Sequence, residues 1–187
     1  MIKQIEEYGI FVGISGFRNV VVKDEKALLH LIRDVMPVDA DFQLFNADLV
    51  ASWEHLYFAA LNALVAFKGK VNLSNSVGME TALYASAQRQ IKKALELIGL
   101  KPGTSNVALV VIADSEKSAK EGVAAVGELL DVAPDESVLD VTAHKEKIIR
   151  HVFGISENEI NAVSKDDPKQ ALIDLVIERV ALLSTRL

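Results

Sequence analysis

The sequence predicts one α+β domain over residues 1–187, a small mixed, mostly antiparallel sheet packed with several helices. Three observations carry that expectation. Runs rich in β-branched and aromatic residues mix along the chain with segments of helical apolar spacing. No internal repeat, low-complexity stretch or long linker divides the chain. The 187 residues, half of them apolar, suffice for one sizeable core but are short for two.

Each element has its own signals. "YGIFVGISGF" (8–17) and "VVV" (20–22) read as extended, because glycine and β-branched residues disfavour helix there. Asp24 caps a helix, "EKALLHLIRDVM", that stops before Pro37. "DFQLF" (41–45) is a short strand. Asn46 and Asp48 then offer caps for a long helix over about 47–67, apolar almost all round after Leu56 and therefore buried. Its small and polar strip is Ser52, His55, Ala59, Asn62 and Ala66. After the loop "KGKVNLSNS", Asn75 or Ser76 starts one continuous helix that ends at Gly99. "NVALVVIAD" (106–114), β-branched throughout, reads as a central strand. Ser115 caps a helix to about Leu130, and "SVLDV" (137–141) reads as a further strand. A helix then runs to Gly154, Ser156 and Glu159 form a capping box, and Asp167-Pro168 opens the last helix.

Composition excludes several function classes. The chain has no cysteine, so disulfides and thiolate chemistry are absent. Its start lacks a signal-peptide pattern, and the longest apolar stretch, "LYFAALNALVAF", is too short for a bilayer. The expectation is a cytoplasmic protein with no membrane association. Net charge is −6, but six basic residues face two acids between Lys68 and Lys101, against 14 basic and 24 acidic elsewhere. Such a confined basic segment suits a localised anionic partner or, equally, a solvated helix face balanced elsewhere. No phosphate-binding glycine loop occurs. His144 and His151 share a helix face but stand about 10 Å apart, too far for one ion. No metal, cofactor or catalytic constellation is expected.

The stretch "ETALYASAQRQIKKALELIG" (80–99) is the most informative. At ~100° per residue, Met79, Leu83, Ser86/Ala87, Ile91, Ala94/Leu95 and Ile98 form a core-facing stripe. Arg89 falls nearly opposite, on a bed of alanines (Ala82, Ala85) between Lys92 and Lys93. Gln88 sits at one border and Gln90 at the core edge. Small neighbours would let a partner approach while the Arg89 guanidinium offers its planar fork to phosphate or carboxylate. The alternative is an ordinary amphipathic helix, since alanine is the best helix former.

"FQLFNADLVASWEHLYFAALNA" followed by "SNSVGMETALYASAQRQIKKALELIG" resembles the kinase-binding subunit of the KEOPS (EKC) complex, the TPRKB-like family. The resemblance rests on Asn46-Ala47 after a strand, Glu80, Ala85-Ser86-Ala87-Gln88-Arg89-Gln90-Ile91 and Ala94, and covers residues 41–99 well. The family often has glycine where Ala87 stands. The resemblance implies a non-catalytic subunit that docks on a kinase-like ATPase subunit and stimulates the complex. It also implies help in capturing tRNA by its CCA end, beside the metal-dependent transferase subunit that makes threonylcarbamoyladenosine next to the anticodon. On that basis Arg89, Lys92, Lys93, Lys70 and Gln88 are candidate tRNA contacts. Asn46, Glu80, Ser86 and Gln90 are structural motif positions, Asn46 as a cap and Glu80 near a positive helix start.

The last helix is apolar on two sides. Leu172, Ile173, Val176, Ile177, Val180, Leu183 and Leu187 share one arc, while Leu175 and Leu182 lie across Arg179 and Arg186. Either neighbours within the chain cover the second side or another protein does. The resemblance favours the partner and makes Leu172, Leu175, Val176, Ile177, Leu182 and Leu183 candidate interface residues. Two other readings stay open. One is a small metabolic enzyme with a pocket of His55, Asn62, Asn46 and Arg89; the other is a structural protein that self-associates through the last helix.

Overall fold

A computed structural model describes residues 1–185; Arg186 and Leu187, which the sequence places on the last helix, lie outside the described residues. The sheet has four strands in the order β1-β2-β4-β3: β1 (Ile2–Ile5), β2 (Ile10–Phe17), β3 (Ala40–Asn46) and β4 (Val107–Ala113). Every pairing is antiparallel, so the mixed component of the expectation is not found. β4 is buried at every position and central, as its unbroken apolar run requires.

Alternation along the strands sends side chains to two helical layers. On one face Phe42, Leu44, Leu109 and Val111 pack against α1 (Glu25–Val35) and α5 (Glu116–Leu130). On the other, Val12, Ile14, Phe45 and Val110 pack against α2 (Trp53–Lys68), α3 (Val77–Ala85) and α4 (Ile91–Ile98). A satellite core holds α6 (Ala143–Phe153), α7 (Glu157–Val163) and α8 (Pro168–Ala181), together with Ala51 and Ala87. The result is a single α+β domain.

Most boundaries form as the sequence dictates, because a side chain at each start satisfies an orphan N–H group. Asp24, Ser76, Ser115 and Asp167 cap α1, α3, α5 and α8, and Ser156 with Glu159 makes the capping box of α7. The long helix over 47–67 is shorter than expected. Asn46 accepts from the Asp48 N–H and caps a 3-10 turn, Ala47–Leu49, and Ser52 starts α2. Residues 137–141 are no strand. Glu136–Leu139 form a 3-10 turn capped by Asp135, and the Lys145 ammonium donates to the Val138 carbonyl at 2.8 Å. β1 covers β2 only as far as Gly13; beyond it Pro134 bridges Phe17 and the Asp135 N–H donates to the Gly16 carbonyl at 2.8 Å, so 134–135 and not 137–141 meet that edge. Residues 20–22 stay outside the sheet, with Val20 and Val22 buried. The short β1 carried too few apolar residues to be read from sequence.

The first turn of α3 rests on the edge of β3. A Cβ on Gly78 would meet the Phe42 carbonyl oxygen at 2.3 Å, and the Gly78 N–H donates to the Asp41 carboxylate at 2.8 Å. Gly78→Ala therefore forces the helix off the strand, and urea unfolding should show a loss of about 1–3 kcal/mol.

Candidate functional site

The stretch 77–98 is two helices, not one. At the end of α3 the Ala87 N–H bonds the Tyr84 carbonyl at 2.9 Å and the Gln88 N–H bonds the Leu83 carbonyl at 3.0 Å, with Ala87 left-handed at φ 51°. That is a Schellman closure with alanine where glycine is usual. The Ala87 methyl is buried in the satellite core, and its packing offsets the left-handed penalty, about 1–2 kcal/mol. The Ser86 hydroxyl donates to the Ala82 carbonyl at 2.8 Å, tightening the last turn. Gln90 then stands exposed at the N-cap of α4 without a side-chain cap bond.

Interrupting the helix removes the amide that would serve the Ala85 carbonyl, and His55 replaces it. His55 Nε2 lies 2.8 Å from the Ala85 carbonyl oxygen, and Nδ1 accepts from the Ala51 N–H at 3.2 Å. Those two contacts fix the neutral tautomer with the proton on Nε2. The ring is fully buried, with its edge on Phe153. Burial holds its pKa down at about 4, against the upward pull of the Ala85 bond, and the Lys145 charge adds to the lowering.

Glu80 is the second anchor. Its carboxylate is 1 % exposed and accepts from the Leu73 N–H, from the Ser74 N–H at 2.8 Å and from the Ser74 hydroxyl at 2.7 Å. It thus fastens the α2–α3 loop over α3. Between that loop, the elbow and the C-terminal turn Leu182–Thr185 lies a cleft of about 260 Å³. Val71, Leu73, Glu80, Tyr84, Arg89 and Leu183 line it.

The predicted site residues distribute as follows. Arg89 is exposed at the elbow beside the cleft; it does not stand on alanines, because Ala82 and Ala85 are buried. Gln88 is half-buried and flanks Lys93 at a separate shallow depression. Lys92 turns to another face and pairs with Glu96 at 3.9 Å. Lys70, left-handed at φ 57°, is exposed in the loop beside Val71. Ile91, expected in the core stripe, is 40 % exposed, since the elbow rotates α4 relative to α3.

Of the candidate interface residues, Leu172, Leu175, Val176 and Leu183 are buried within this chain, and Ile177 is half-buried. On the second apolar side of α8, Leu175 is covered by the core shared with α6 and α7, the intramolecular alternative. Leu182 is exposed at 39 %. Arg179 is held by Glu159 of α7, whose pKa falls to about 2 through its bonds to Ser156 and to that guanidinium.

An enzyme pocket of His55, Asn62, Asn46 and Arg89 does not assemble. His55 is sealed inside, Asn46 caps the 47–49 turn, and the Asn62 amide donates to Phe58 of its own helix at 2.8 Å. Among the described residues no cluster of histidine and acidic side chains could hold a metal ion, and no helix is long and apolar enough to cross a membrane.

A profile of the family described as kinase binding protein CGI-121 matches residues 17–184. The chain belongs to that family. It is also 35% identical over 162 residues to the "Regulatory protein Cgi121" of Methanocaldococcus jannaschii, covering 87% of this chain and 97% of that protein. Membership in a kinase-binding family makes this CGI-121 protein a binding protein and not an enzyme. Its elbow carries residues 85–91, on which the resemblance read from the sequence rests.

Two measurements test this anatomy. Glu80→Ala orphans three loop donors and should cost roughly 3 kcal/mol in urea unfolding. For His55 the folded pKa lies below the ordinary 6.5, so unfolding takes up a proton between the two values. Stability is full above pH 6.5 and declines as pH falls to about 4, by on the order of 3 kcal/mol. The slope in that window should flatten in His55→Gln.

Proposed function

We propose that this CGI-121 protein is the kinase-binding accessory subunit of a KEOPS-type complex in the cytoplasm. It docks on and stimulates the kinase-like ATPase subunit. It also helps recruit tRNA by the CCA end to the metal-dependent transferase that forms threonylcarbamoyladenosine next to the anticodon. The single observation that best supports this reading is the elbow: an exposed arginine beside a small cleft, in the basic segment of an acidic chain. The cleft has apolar walls at Val71, Leu73 and Leu183 that suit an unstacked base, and Arg89 at its rim suits a phosphate.

Lys93 and Gln88 adjoin the elbow and Lys70 adjoins the loop, so they extend the same surface; Lys92 contributes less, being turned away and paired. The kinase-like partner is met by apolar residues that the chain leaves uncovered near its end. Leu182 is one, and Phe58 and Val65 stand exposed on α2, against which α8 packs. Desolvating these on docking would supply hydrophobic affinity, with Ile177 at the margin.

Arg89→Glu should weaken binding of full-length tRNA at least tenfold by fluorescence anisotropy while leaving the urea midpoint in place. Removing the CCA nucleotides should weaken the native chain by a similar factor and the variant hardly further. Unchanged tRNA affinity in Arg89→Glu and in Lys93→Glu would refute the RNA role. Leu182→Glu should abolish copurification with the kinase-like subunit, and intact copurification would remove the proposed contact.

A further inference from the structure

The elbow between α3 and α4 is packed by a core other than the one on the sheet. Ala51, whose N–H serves His55, and Ala87, the left-handed residue of the turn, are buried with Ile149 and Phe153 of α6, Ile160 of α7 and one side of α8. Phe153 sets its ring edge-on to His55, with centroids 5.6 Å apart and planes at 81°. α8 belongs to the body of the domain, because it packs along α2 and places Val180 in the main core. Residues 141–163, carrying α6 and α7, close the second core like a strap.

Arg150 of α6 pairs with Glu157 of α7 at 2.8 Å, which joins the two helices of the strap to each other. Toward the body, the Lys145 ammonium donates to the Val138 carbonyl at 2.8 Å, and Glu159 accepts from Arg179 of α8. Residues 164–167, neither helix nor strand, lead out of the strap. Lys145 makes its docking costly. The side chain is 4% exposed, and burial pulls its pKa down to about 8, against Asp48 and Asp140, which raise it; Arg18 adds to the lowering. Lifting the strap returns that charge to water and recovers its desolvation.

We propose that residues 141–163 are a strap whose docking sets the elbow. Docked, it keeps the His55 bond to the Ala85 carbonyl dry and packs the turn at Ala87, so Arg89 stands beside its cleft. Lifted, it lets water reach the ring and the carbonyl, the turn loses its packing, and the Arg89 surface dissolves. The residues that line the cleft come from outside the strap. A ligand of the cleft therefore favours the docked strap at a distance, and whatever holds the strap down favours that ligand. This regulation of the Arg89 site rests on the tRNA reading above, whereas the coupling of strap to elbow stands without it.

Native-state hydrogen exchange by NMR on the isotope-labelled full chain tests the coupling. The reporters are the elbow amides of Ala51, Ala87 and Gln88, the strap amides of Ile155 and Ile160, and the amides of β4. Elbow and strap should share one protection factor, about tenfold or more below that of β4, because they open together and without the sheet. Ile160→Ala should lower the protection of both sets by the same factor, roughly tenfold or more. Saturating tRNA should raise the protection of both sets by a common factor. The proposal is overturned by elbow amides as protected as those of β4, or by elbow protection that departs from the strap's. It is also overturned by Ile160→Ala loosening the strap alone, or by tRNA protecting the elbow and not the strap. Shared exchange in a chain that binds no tRNA would support the strap and remove only the RNA role.

Discussion

One imidazole holds the elbow between α3 and α4 together. His55 joins the start of α2, through the Ala51 N–H, to the broken end of α3, through the Ala85 carbonyl. Without a donor at that place the break would strand a buried carbonyl, and continuing α3 through residue 89 would be the cheaper conformation. With it, the chain turns at Ala87, Arg89 leaves the helix axis and α4 departs at a new angle. The ring works only as a neutral group, one nitrogen giving and the other receiving, and burial enforces that state.

Glu80 complements the histidine from the opposite side of α3. It gathers the loop N–H groups at Leu73 and Ser74 into a buried carboxylate, so the loop wall of the cleft is fixed to the same helix that ends in the elbow. Two buried polar side chains thus orient an exposed one, and neither is placed to do chemistry. This arrangement fits a family described by what it binds. Rigid presentation spares ordering entropy at the moment of binding, which is where a preformed surface gains affinity.

Much of the fold was legible because its signals are local. Helix starts at Asp24, Ser76, Ser115, Ser156 and Asp167 depend on one side chain and the amides two or three residues on, and all five form. The central strand was equally plain. The elbow was not, because Ala85 to Gln90 are good helix formers and the break is decided by His55, thirty residues away. Residues 137–141 misled for a similar reason: their β-branched composition suits a strand, but Asp135 and Lys145 satisfy them locally. The two apolar sides of α8 were visible in sequence, whereas their cover, by α2 on one side and by α6 and α7 on the other, belongs to packing. Arg89 was found from composition and resemblance; the cleft beside it needed the turn at Ala87.

The elbow depends on the state of His55, and long-range proton–nitrogen NMR of its ring at neutral pH reads that state directly. A proton on Nε2, slow to exchange, with an unprotonated Nδ1 down to pH 5, is the predicted result. A ring protonated on Nδ1, or an imidazolium titrating near pH 6.5 like a solvent-exposed histidine, would contradict it.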